Sequence, residues 1–177
     1  WLWKRDHVFW LELDSNLSII EAEEKMARIK WRPDSGKELW DACGSPHWVQ
    51  YVLKQLEDYN MQPPGSLDCD DFAVWCCSVL DVKYLPCILS VSWLSSSNEI
   101  LGHAVCLCKR KDGLLFHMGN WGTVQSFPHL EALCEDMLQR VQGKEVIGWS
   151  LIRPDLKVIT WGRGMPTEYT YLESIFK

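Results

Sequence analysis

Apolar and polar positions in the first half of the chain recur at helical spacing, and in the second half they shorten into extended runs. Ser18-Ile19-Ile20-Glu21 has capping-box spacing and leads into good helix formers, which predicts a first helix near Ile19 to Lys30. Pro33-Asp34-Ser35-Gly36 is a loop by composition. Trp48, Val49, Val52, Leu53 and Leu56 form an apolar stripe that predicts a second helix from about Pro46 to Tyr59. Pro63, Pro64 and Gly65 stop that segment, and a third helix follows, running to Leu80. Ser66 or Asp68 can cap it, and Asp70 and Asp71 place charge where the dipole favours it. Phe72, Val74, Trp75, Cys76 and Val79 give this helix a broad apolar surface, so it is expected to be central and buried.

Beyond Asp81 the texture becomes extended. Leu85 to Leu94, Ile100 to Cys108 and Leu114 to Gly119 read as antiparallel strands joined by turns at Ser95 to Asn98 and Lys109 to Gly113. Pro128, at a first helical position, with Leu130, Leu133, Met137, Leu138 and Val141, predicts an amphipathic helix ending near Gly143. Glu145 to Ile152 and Leu156 to Trp161 read as two final strands around Arg153-Pro154-Asp155, while Trp1 to Leu13 has no clean period and is short strand or loop. The expected class is therefore α+β: N-terminal helices, one of them central, packed on an antiparallel sheet. No repeat or linker divides the chain, so residues 1–177 are expected to form one domain.

Composition narrows the function. Nearly half of the 177 residues are apolar and eleven are tryptophan, enough for a core that needs no metal or disulfide staple. Of eight cysteines, Cys76, Cys77, Cys87, Cys106, Cys108 and Cys134 lie inside apolar runs, which fits reduced buried thiols and a reducing, cytoplasmic setting. The net charge of −6 and the absence of any basic run longer than Lys109-Arg110-Lys111 leave a nucleic-acid partner without an electrostatic footprint. No apolar stretch is long enough to span a bilayer, so no membrane partner is expected. The chain starts at Trp1, without Met or a signal-like region, which is compatible with a removed leader.

Cys69 falls at the N-terminal tip of the central helix, where unpaired backbone N–H groups and the positive end of the dipole favour thiolate over thiol. A cysteine nucleophile needs a base, and the base needs a group that fixes its tautomer. Among His7, His47, His103, His117 and His129, His103 shares a strand face with Leu101, Val105 and Leu107. If Lys111-Asp112 is a two-residue loop, His103 lies opposite Asn120; if Asp112-Gly113 is the loop, Asn120 faces Val105 on the same side. Either register turns His117 to the other face, whereas a three-residue loop with a bulge would change the parity.

The run Leu67-Asp68-Cys69-Asp70-Asp71-Phe72-Ala73, then Gly102-His103-Ala104-Val105, then a glycine turn and Gly119-Asn120, resembles the bacterial and phage transglutaminase-like cysteine peptidases of the transglutaminase and papain-like superfamily. The resemblance covers Gly65 to Trp121. It implies a papain-like or transglutaminase-core fold with Cys69 as nucleophile, His103 as base and then acid, and Asn120 in the orienting place usually held by Asp. It also implies that acids flanking the nucleophile, here Asp68, Asp70 and Asp71, can hold calcium, although capping and dipole charge account for them without a metal. An upstream tryptophan, Trp40 or Trp48, is implied as a donor to the oxyanion beside the Cys69 backbone N–H, with core packing as the competing role.

Other constellations are weaker. Gly44 and Pro46 argue against a helix joining Cys43 and His47, and no CxxC or HxxxH pair supports zinc. The expected activity is cysteine-dependent amide hydrolysis on a protein or peptide substrate, with no cofactor required. Acyl transfer to an amine and glutamine deamidation are alternatives on the same triad. A non-catalytic binding module keeping the fold is the alternative from another class.

Overall fold

The computed structural model describes residues 11–32, 45–63, 67–122 and 126–167. Helix α1, Ile19–Met26, begins at a complete capping box: Ser18 Oγ accepts from the Glu21 N–H and a Glu21 carboxylate oxygen accepts from the Ser18 N–H. It ends four residues before the expected Lys30, because the Arg28 and Ile29 amides turn back onto Lys25 and Met26 and bury Ile29. Helix α2, Pro46–Tyr59, has the predicted bounds, with Ser45 as N-cap and Asn60 in the left-handed conformation at φ 51° as C-cap. Helix α3, Cys69–Val79, takes Asp68 as its N-cap, and Phe72 through Cys77 are all buried. Just before it, Arg32 and Leu67 exchange backbone hydrogen bonds, which ties the chain leaving α1 to the start of α3.

A 3-10 turn, Val82–Tyr84, follows α3, and then come β1, Cys87–Leu94, β2, Ile100–Lys109, and β3, Leu115–Met118. Helix α4, Leu130–Arg140, is capped by His129, whose Nδ1 accepts from Ala132, so Pro128 stands outside the helix rather than at its first position. Strands β4, Glu145–Ile152, and β5, Val158–Arg163, complete the regular elements among the described residues. The sheet is antiparallel throughout, in the order β3-β2-β1-β4-β5. The protein is thus α+β, with α1 to α3 on one face of the sheet and α4 on the other. No described helix is long and apolar enough to cross a membrane.

Side-chain size decides which face takes α3. Ala104, Cys106 and Cys108 of β2 pack with the bulky Phe72 and Trp75 of α3 in one core. Small residues there let the helix approach the sheet closely. Val91, Val105 and Leu107 form the second core with Leu130, Leu133, Cys134 and Met137 of α4.

The β2–β3 loop corrects the expected register. Arg110 N–H donates to the Leu114 carbonyl and Gly113 N–H to the Arg110 carbonyl, so the loop is the three residues Lys111-Asp112-Gly113. Gly113 has φ 86°, the left-handed residue that closes such a loop as a bulge. Leu107 consequently pairs with His117 and Cys106 with Met118. Continuing this register sets Asn120 against Ala104 rather than against His103 or Val105, and His117 shares the face of His103 instead of opposing it. Gly113→Val is expected to lower stability by about 1–2 kcal/mol, because a β-branched side chain is strained at positive φ. Urea unfolding of the variant at neutral pH would measure it, and an unchanged midpoint would contradict this loop geometry.

Candidate functional site

Cys69 is the first residue of α3 and packs, half-buried, against the core on the α3 face. The other six described cysteines are fully buried. Burial pushes the Cys77, Cys87 and Cys134 thiols up to about 12 and raises Cys76 further. They are therefore weak, slow nucleophiles at neutral pH. Around Cys69, Asp71 accepts the Asp68 N–H at 3.2 Å, and Asp68, Asp70 and Asp71 hold ligand oxygens within 4.8 Å of one another. These three carboxylates suit a hard cation by donor type. Asp71, buried at 4% exposure, already serves the capping box, so the cluster also has a purely structural explanation.

Of the two tryptophans expected near the oxyanion, Trp40 lies outside the described residues. Trp48 is buried in α2 and stacks on Tyr51 with ring centroids 5.4 Å apart. Behind α3, the Trp75 indole N–H donates to Gln50, whose amide donates to Asp14, anchoring the helix to the segment before α1.

His103 is buried on the α4 face and stacks on Trp121, centroid to centroid 3.9 Å with an interplanar angle of 19°. Burial first, and the neighbouring His117 second, lower its pKa to about 4, which keeps the imidazole neutral at physiological pH. Its Nε2 is buried without a hydrogen-bond partner, and so is Oδ1 of Asn120, the residue next to Trp121. His117 is wholly buried between the Trp121 edge and the Phe127 ring, with neither ring nitrogen hydrogen-bonded. Burial dominates its shift to about 4, with Asp136 opposing and Arg140 reinforcing it.

The structure therefore brings Cys69 together with the three acids, and His103 together with Trp121 and His117. The sheet lies between these two groups. β3 pairs only with Cys106 to Lys109, so the stretch of β2 that carries His103 runs past the end of its outer neighbour. His117 and Trp121 are members of the His103 cluster that spacing did not single out. The Lys-Asp-Gly loop held the signal, since glycine in third place favours the three-residue turn with a bulge. The small residues Gly102, Ala104, Cys106 and Cys108 held the other, marking the face that a bulky helix approaches. No family model, characterised protein or solved structure matches this chain.

Proposed function

We propose that this protein is a cysteine-dependent amide hydrolase acting on peptides or proteins, with Cys69 as its nucleophile. The observation that carries the reading is that Cys69, at the tip of the central helix, is the one described cysteine that is not buried. The helix N-terminus favours its thiolate, which attacks the carbonyl carbon and leaves a thioester; proton delivery to the amine and attack by water complete the turnover. His103 is assigned the proton transfer, since an imidazole kept neutral can accept one. Asn120 is assigned the orienting role from the resemblance alone: its buried Oδ1 makes no hydrogen bond to His103 Nε2, and the β3 register sets it against Ala104, on the α3 face. The approach between Cys69 and His103 is assigned to the edge of β2 left open beyond β3. Acyl transfer or deamidation would use the same thioester, and calcium, if bound, would take Asp68, Asp70 and Asp71 as ligands.

A non-catalytic binding module is the second reading, favoured by the His103 side chain lying on the face opposite α3. Alkylation of the folded protein with iodoacetamide, followed by peptide mass spectrometry, separates the two. Cys69 is expected to react at neutral pH faster than the same thiol in the urea-unfolded chain, with the six buried cysteines unlabelled. A Cys69 that reacts no faster folded than unfolded would remove the hydrolase reading and leave the binding module.

A further inference from the structure

Two thiols from different elements meet in the core between α3 and β2. Cys77 Sγ lies 3.1 Å from Cys106 Sγ, and Cys108 Sγ lies 3.7 Å from Cys106 on the same strand. Cys76, the neighbour of Cys77, instead faces α1, with its sulfur 3.1 Å from Met26 Sδ. The Cys77–Cys106 separation is inside the normal contact distance of two sulfurs, and about 1 Å of further approach would bring it to a disulfide bond length of about 2.05 Å. Cys106 and Cys108, two apart on one strand, point the same way from a rigid backbone and are poorly placed to bond to each other.

We propose that Cys77 and Cys106 form a reversible interior disulfide that locks α3 onto β2 when the protein meets a peroxide oxidant. A thiolate of the pair attacks hydrogen peroxide, the O–O bond breaks, and water and a sulfenic acid result. The second sulfur displaces the sulfenic oxygen as water, forming the S–S bond. In total two thiols lose two electrons and two protons, and one peroxide becomes two waters. The bond would span 29 positions of sequence and join the helix that bears Cys69 to the strand that bears His103. It does not depend on the hydrolase reading, because packing alone brings the pair together. In a reducing compartment the pair stays open. Since burial holds both thiols protonated, closure is slow and is followed over hours rather than minutes.

The test incubates the folded protein with hydrogen peroxide, blocks remaining thiols with iodoacetamide, and maps tryptic peptides without reduction. The expected product joins peptide 55–83 to peptide 84–109 and is lighter by two hydrogens than the sum of the two peptides alkylated only at Cys69, Cys76, Cys87 and Cys108. Fragmentation of that product is expected to place the bond at Cys77 and Cys106, and a bond at any other pair overturns the proposal. Cys77→Ser and Cys106→Ser are expected to lose the cross-link, while Cys108→Ser keeps it. Oxidation is expected to raise the thermal midpoint of the wild type by several degrees, with dithiothreitol restoring it. Should either serine variant fail to fold, the wild-type fragmentation still decides. Absence of the cross-link after oxidation of folded wild type overturns the proposal.

Discussion

Replacing Cys69 by alanine is expected to abolish amide hydrolysis while leaving the thermal midpoint nearly unchanged. The side chain is half-buried at a helix tip, so its removal opens little cavity, and the nucleophile has no substitute among the six buried thiols. Cys76→Ser should show the reverse: the sulfur is fully buried beside Met26, and a hydroxyl there is desolvated, which costs about 1–3 kcal/mol of stability before any loss of rate. His103→Ala is expected to lower kcat by about a hundredfold to ten-thousandfold, the range for a lost general acid or base. Adding Asn120→Ala to it should change little further, because in the proposed triad Asn120 acts only through the imidazole. Melts of these four variants and of Asn120→Ala alone, beside turnover of a peptide substrate, would check the set. Full activity in Cys69→Ala would end the catalytic reading, and a double variant losing the product of both single losses would separate Asn120 from His103.

Acidification is expected to destabilise the fold between pH 6.5 and 4, starting above the range in which surface carboxylates protonate. His103 and His117 have folded pKa values lowered from 6.5 to about 4, so across that window the unfolded chain binds protons that the folded one refuses. The stability associated with their neutral forms is fully present above about pH 6.5 and is lost as pH falls through about 4. Each histidine contributes about 3 kcal/mol to that loss, on the order of half of a small domain's total stability. Glu21, Asp81 and Asp155 have lowered values too, but as acids they act at lower pH, and they sit in solvent. His117→Phe keeps an aromatic ring between Trp121 and Phe127 and removes one titration, so its unfolding free energy should fall by roughly half as much over the same range. Urea titrations at pH 7, 6, 5 and 4 on wild type and variant would measure this. Equal pH slopes for the two proteins would show that His117 is solvated in solution.

Local chemistry made much of the fold legible. The bounds of α2 and β4 are those that periodicity predicts, the Ser18 capping box starts α1, and Asp68 caps α3, because each signal lies within a few residues of the structure it specifies. The placement of Cys69 at a helix tip was legible for the same reason. The company kept by His103 was not. Alternation along β2 separates its odd from its even positions, but which face meets α3 depends on how bulky helix residues fit against Ala104, Cys106 and Cys108. Which face receives His117 depends on the left-handed turn at Gly113, where one extra loop residue reverses every side chain of β3. The lowered pKa values of His103 and His117 and the meeting of Cys77 with Cys106 arise wholly from packing between segments distant in sequence. Hydrophobic pattern and capping therefore determined the elements and the helix-tip thiol. Only the tertiary structure decided which side of the sheet each functional side chain faces, because that choice depends on loop parity and on the shapes of two packed layers.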